Sequence, residues 1–279
     1  MNNLRRRVVK KVSKRDIETF EIDVGTIVSD RSRRLYGFEI IAYDRPGVAA
    51  RISEIFARYN VNIVKIVNSL SDDEGKVLVY VVGDFSKARV TPDKLMNQLV
   101  RENKDYVLEV YKAPRLGSII YSDKIFPLKI GDYRVVSWGP ANLRGFLIDL
   151  KKTLGDEVAC TILFHLGEAV GRATYESYIS PIDSNLEIAV DVIRGLMIAY
   201  GWGKILEYEI NEYIRRMVIS VDRLWECELM EGKVDKPASV YFKGFLSGFF
   251  SKHFNRRVIV REIECVAKGD KQCTFEITW

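Results

Sequence analysis

Along residues 35–112 the spacing of apolar and polar side chains alternates between two periods. Residues 35–43, 61–68, 76–83 and 106–111 are short runs rich in β-branched and aromatic side chains, which predict strands. Residues 46–59 and 92–101 repeat at helical spacing instead, with Ile52, Ile55 and Phe56 along one face of the first. The resulting order is βαββαβ, the ferredoxin-like arrangement. Upstream, residues 16–24 alternate apolar and acidic side chains and predict one more strand.

From 113 to 142 the punctuators Pro114, Gly117, Pro127, Gly131, Gly139 and Pro140 predict a connector with short strands at 118–121 and 133–138. Helical periodicity returns at 143–154, at 156 to about 179 with Asp156 as N-cap, and at 181–200, where Ile188, Val192, Leu196 and Ala199 form a stripe. Residues 204–211 and 213–222 alternate as a hairpin, and a fourth helix runs from about 237 to 253. Lys268-Gly269-Asp270 then turns a last hairpin over 261–275. The fold class expected is α+β: a basic arm plus strand over 1–34, a ferredoxin-like domain over 35–114, and a mixed domain with an antiparallel sheet and packed helices over 115–279.

Length and composition agree with two globular domains: 279 residues, 47% hydrophobic and 29% charged. The formal charge of +5 is unevenly placed. Residues 1–15 hold seven cations (Arg5, Arg6, Arg7, Lys10, Lys11, Lys14, Arg15) and no acid, so the remainder carries −2. Residues 5–15 are a candidate nucleic-acid contact, weighed against a solvated tail. No apolar run approaches the roughly 20 residues a membrane helix needs, and the chain opens without a signal-peptide core, so a cytoplasmic protein is expected.

With the final turn centred on Gly269, Cys265 and Cys273 fall opposite one another. A pair of this kind is a disulfide, two metal ligands or two inert thiols. Four cysteines in 279 residues argue against a disulfide framework. A structural zinc needs two more ligands, and Glu262, Glu264, Glu226 and Cys227 are the candidates. Glu262 and Cys265 are three apart, so one site can hold both only if the strand bulges.

Two resemblances follow from motifs. Asp44-Arg45-Pro46-Gly47-Val48-Ala49, with proline in the first helical turn and free amides suited to an anion, precedes the Ile52, Ile55, Phe56 face and Asn60-x-Asn62-Ile63. This pattern resembles an ACT domain. The resemblance implies a regulatory module that pairs into dimers and binds an amino acid, through Asp44, Arg45, Gly47, Val48, Ala49, Asn62 and Ile63. Glu262-x-x-Cys265-x-Ala267-x-Gly269-Asp270-x-x-Cys273-x-Phe275, after Gly244-Phe245-Leu246-x-Gly248-Phe249, resembles the C-terminal signature of the vinyl-4-reductase (4VR) domain. That family is similar to aromatic-sensing domains of bacterial regulators and to small TRAPP tethering subunits.

The second resemblance implies a zinc held by one Glu and three Cys, here Glu262, Cys265 and Cys273. Ser239 stands at the third cysteine's position, and Cys227 is the candidate substitute. It also implies a pocket for an apolar or aromatic molecule, lined by His165, Trp202, Trp225, Tyr241, Phe245 and Phe249. The combination resembles predicted archaeal regulators of amino-acid metabolism.

Of the two histidines, His165 sits among Leu163, Phe164 and Leu166 and reads as a core residue, and His253 as a cation at a helix C-terminus. There is no Gly-x-Ser-x-Gly elbow, P-loop or Rossmann fingerprint. The expectation is a non-catalytic small-molecule sensor acting as a homodimer. The alternatives are an enzyme or enzyme subunit acting on a vinyl or aromatic substrate, and a ligand-free dimerisation protein.

Overall fold

The computed structural model describes residues 8–9, 20–182, 185–230, 234 and 236–279. The basic residues of the arm and the stretch 16–19 lie outside them. The chain forms two compact units, residues 19–136 and residues 1–18 with 137–279.

In the first unit, β1 (Leu35–Tyr43), α1 (Val48–Arg58), β2 (Asn62–Asn68), β3 (Lys76–Asp84), α2 (Pro92–Glu102) and β4 (Val107–Lys112) follow the expected order. The strands form an antiparallel sheet ordered β2-β3-β1-β4. Phe38, Ile40, Ala42, Val79 and Val81 alternate onto one face and bury Ile52, Ile55 and Phe56 of α1 with Leu95 and Leu99 of α2. Thr91 caps α2 by accepting the Lys94 N–H, with Pro92 at the first helical position.

The opposite face is covered by the chain's own connector. Residues 28–29, 119–120 and 115–116 form a small antiparallel ribbon, and Ile120 and Ala113 pack on Leu35, Tyr80 and Val82. The close approach depends on Gly37, where an added Cβ would lie 2.6 Å from Ile120 Cγ2 and 2.8 Å from Ala113 Cβ. Glu39, buried on this face, accepts a 2.6 Å hydrogen bond from Ser122 Oγ and lies 3.4 Å from Lys124 Nζ. These contacts hold residues 115–136 to the first unit, so the division falls at 136/137, later than the boundary read near Arg115. The strand expected over 16–24 is not formed at 20–24, where Phe20, Ile22 and Val24 are exposed.

The second unit is built on β5 (Lys204–Asn211), β6 (Arg216–Asp222), β7 (Ile259–Glu264) and β8 (Cys273–Thr278). With residues 8–9 at one edge, the antiparallel order is 8–9, β5, β6, β8, β7. Residues 140–154 form one helix interrupted by a π-turn at Gly145–Asp149. Then come α3 (Asp156–Tyr178), capped by Gly155 rather than Asp156, α4 (Leu186–Ala199) and α5 (Val240–Phe254).

Helices α3 and α5 cross through four glycines. An added Cβ at Gly167, Gly171, Gly244 or Gly248 would fall within 2.0–2.1 Å of a carbonyl oxygen of the partner helix. The helices therefore touch backbone to backbone, and no ligand separates them there. Phe242, Phe245, Phe249 and Phe250 bury α5 against Ile219, Phe275 and Ile277 of the sheet. The buried stripe of α4 is Leu186, Ala189, Val190, Ile193 and Met197, rotated from the one expected; Ile188 is exposed. The strand expected at 133–138 stops at Arg134.

Candidate functional site

β7 and β8 pair Glu262 with Phe275 and Glu264 with Thr274, so the register slips between Glu262 and Glu264. That bulge cancels the parity conflict between Glu262 and Cys265. After Glu264 a single 3-10 turn (Val266–Lys268) and the left-handed Gly269 (φ 103°) reverse the chain. Asp270 fixes the turn by accepting the Cys265 N–H at 2.8 Å. A short helix after β6, Trp225–Glu228, delivers Cys227 from the other side.

The result is a buried knot of Cys227, Glu262, Cys265 and Cys273, whose donor atoms all lie within 4.8 Å of one another. All the cysteines are free thiols. The Cys227 and Cys265 sulfurs are 3.5 Å apart, and Cys227 Sγ lies 3.8 Å from Glu262 Oε1. A tetrahedral zinc with Zn–S near 2.3 Å has ligand-to-ligand edges of about 3.8 Å. The donor set and its spacing therefore fit a structural zinc.

Ser239, at the N-terminus of α5, is built into the same knot. Its Oγ donates to Glu262 Oε1 at 2.6 Å and lies 2.8 Å from Cys227 Sγ, and its N–H donates to Glu262 Oε2 at 3.0 Å. Ser239 thus fixes the carboxylate from outside the donor set, a role that the sequence did not reveal. Its substitution for cysteine and its helix-start position were the available signals.

Without a cation the thiols titrate against each other. The Cys227 thiol donates to Cys273, and this bond together with burial pushes it far up, while accepting the same bond draws Cys273 down. Burial raises Cys265. A metal at their centre would stabilise all three as thiolates.

The other two carboxylates considered as ligands are occupied elsewhere. Glu226, fully buried, accepts the Tyr241 and Phe242 N–H groups at 2.8 and 2.9 Å and so caps α5 from a distance. Burial pushes its carboxyl up to about 7. Glu264 points outward to Gln272 and Thr274.

Beside the knot, four of the six expected pocket residues gather. Trp202 lies 6.0 Å from Tyr241 and 5.1 Å from Phe245, and Trp225 lies 5.8 Å from Tyr241, each edge to face. Burial pushes the Tyr241 hydroxyl up to about 12. Trp225 Nε1 is buried and, among the described residues, has no acceptor. Phe249 lies behind Phe245 in the core.

His165 does not join them. Its side chain is 68% exposed and meets Glu168 at 3.3 Å, because its apolar sequence neighbours lie on other faces of α3. His253 differs from expectation in the opposite sense: burial lowers its pKa, and Nδ1 has no partner among the described residues.

In the first unit, Asp44, Arg45, Gly47 and Ala49 are exposed around the start of α1, with Val48 buried beneath them. Gly47 takes φ 90° with no atom near its missing Cβ. Asn62 and Ile63 instead line a cleft of about 610 Å³ beyond the other end of α1, with Ser53, Asn60 and Lys87. The eleven residues of α1 separate the two sets by about 16 Å. One chain does not bring these residues into a single site.

Such a pairing of a ferredoxin-like unit with a sheet-and-helix unit carrying a cysteine knot is of a regulatory, ligand-binding type. The family model of the ACT domain matches residues 37–100, and that of the vinyl-4-reductase (4VR) domain matches residues 217–279. The chain carries both domains, in that order.

Three solved structures are among those similar to it. One is the phenol-responsive sensory domain of the transcription activator PoxR, in complex with phenol: 20% identity, 54% of this chain and 79% of that one, TM-score 0.46. A second is a vinyl-4-reductase family protein from Methanocaldococcus jannaschii: 20% identity, 53% and 84%, TM-score 0.35. A third is the ACT domain of GTP pyrophosphokinase from Chlorobium tepidum: 21% identity, 29% and 97%, TM-score 0.23. No curated protein matches the chain in sequence. No helix of the described residues is long and apolar enough to cross a membrane.

Proposed function

We propose that the protein is a non-catalytic small-molecule sensor whose vinyl-4-reductase-type half takes an aromatic molecule bearing a hydrogen-bond acceptor. The buried, unpartnered Trp225 Nε1 beside Trp202, Tyr241 and Phe245 carries this reading. A buried donor left without an acceptor costs about 1–3 kcal/mol, which a ligand oxygen would recover. Zinc held by Cys227, Cys265, Cys273 and Glu262 would clamp the segment that presents Trp225, two residues before Cys227. The metal's part is structural.

The ACT half takes a small carboxylate, an amino acid being the leading class, at the exposed amides of α1. Because Asn62 and Ile63 lie about 16 Å from that end, a second copy would have to complete a joint site, and a homodimer is the assembly proposed. Each ligand then acts by its differential affinity for alternative dimer arrangements. Control of amino-acid metabolism, or of transcription through residues 5–15, is the proposed output.

The test is calorimetric titration of the full chain with phenol. One site per chain is expected, and Trp225→Phe, which keeps a ring and loses the donor, should weaken binding about tenfold. Failure of phenol, cresol and hydroxybenzoate alike to bind would overturn the aromatic-sensor reading.

A further inference from the structure

The N-terminal end of α3 borders an open cleft of about 860 Å³, within the size range of small-molecule sites. Its walls are apolar: Leu147, Ile148, Met230, Val234, Pro237 and Val240. Three lysines, Lys151, Lys152 and Lys236, also line it, against one acid, Asp156. Only Lys152 has a salt bridge among the described residues, to Asp149 at 2.9 Å. Lys151 sends its field toward the buried Glu226. The Trp225 cluster shows none of this cationic character.

Apolar walls beside surplus ammonium groups match a molecule that is apolar at one end and anionic at the other. Long lysine stems lie along an apolar chain while their heads meet its charge. A neutral phenol would leave those heads unused. We propose that this cleft is a second ligand site, for a free amphiphilic carboxylate with an unbranched apolar tail, held at its head by Lys151 and Lys236.

The occupant would touch Ala238 and Val240, which flank Ser239, the residue that holds Glu262 in the knot. Binding here would therefore bear on the knot through one residue. The site does not depend on the aromatic reading, since it shares no residue with the Trp202, Trp225, Tyr241 and Phe245 cluster.

The probe is sodium dodecanoate, below its micellar concentration, titrated by calorimetry into the full chain at low salt, with dodecanol as the neutral control. One dodecanoate per chain is expected, with dodecanol at least tenfold weaker. K151E/K236E should weaken dodecanoate at least tenfold and leave dodecanol unchanged, and K151Q/K236Q should act in the same direction more weakly. Ile148→Trp, which fills the cleft and leaves its charge alone, should abolish both.

Phenol titration of the same variants should be unaltered, so loss of phenol binding with dodecanoate binding intact would count against the aromatic reading alone. Equal affinity for dodecanoate and dodecanol, or indifference to both lysine variants, would overturn the carboxylate site. So would co-sedimentation with phosphatidylglycerol vesicles in the absence of dodecanoate binding, which would assign the lysines to a bilayer surface.

Discussion

Ser239 and Glu262 show how a single substitution re-routes a site's chemistry. Where a third cysteine would supply a ligand, the serine hydroxyl bonds the carboxylate and reaches Cys227, which supplies the sulfur instead. Ser239→Ala leaves a buried carboxylate oxygen short of a donor and should cost about 1–3 kcal/mol, read as a lower urea midpoint at unchanged slope. His253 gives a pH signature. Burial lowers its folded-state pKa below the ordinary 6.5, so the unfolded chain binds the extra proton first. The stability His253 allows is complete above that value and is lost as pH falls through it. A His253→Phe variant should therefore lose less stability than the parent between pH 7 and pH 5, and an identical loss in both would refute the assignment. Sequence placed both histidines wrongly for one reason: the neighbours of His165 at one and two positions point to other sides of a helix, and burial of His253 is set by Tyr175 and Phe254.

At the scale of elements, the six strands and helices of the ACT unit were legible because period and turn residues agree. The α3–α5 crossing was legible only in part. Gly167, Gly171, Gly244 and Gly248 announce a close approach, but only the fold shows that the approaching group is another helix backbone. Gly244→Ala drives a Cβ to 2.0 Å from Phe164 O, and overpacking of this kind costs about 3 kcal/mol or more. Chemical denaturation should show that loss, whereas Gly195→Ala in α4, where the added Cβ meets nothing, should gain a few tenths of a kcal/mol to about 1 kcal/mol. The apolar stripe of α4 was misphased because nearly every side of that helix is apolar, so periodicity alone does not choose the face turned to the sheet.

For the whole molecule, the sequence announced two domains, and turn residues placed their division too early. Glycines and prolines mark where a chain bends but not which surface it then covers, and here the connector covers the open face of the ACT sheet through Ile120 over Gly37. The cysteine knot was legible residue by residue as a set, since Glu262, Cys265, Cys273 and Cys227 are the four donors brought together. Their assembly needed the β7 bulge, which no side-chain pattern records. The central claim is that this knot is a zinc clamp for a ligand-binding domain. Its most direct test is elemental analysis of the purified chain with native mass spectrometry. The account predicts one zinc per chain, lost in Cys227→Ser and in Cys273→Ser and retained in Cys160→Ser. A metal-free parent chain that stays folded and binds no zinc when it is supplied would contradict it.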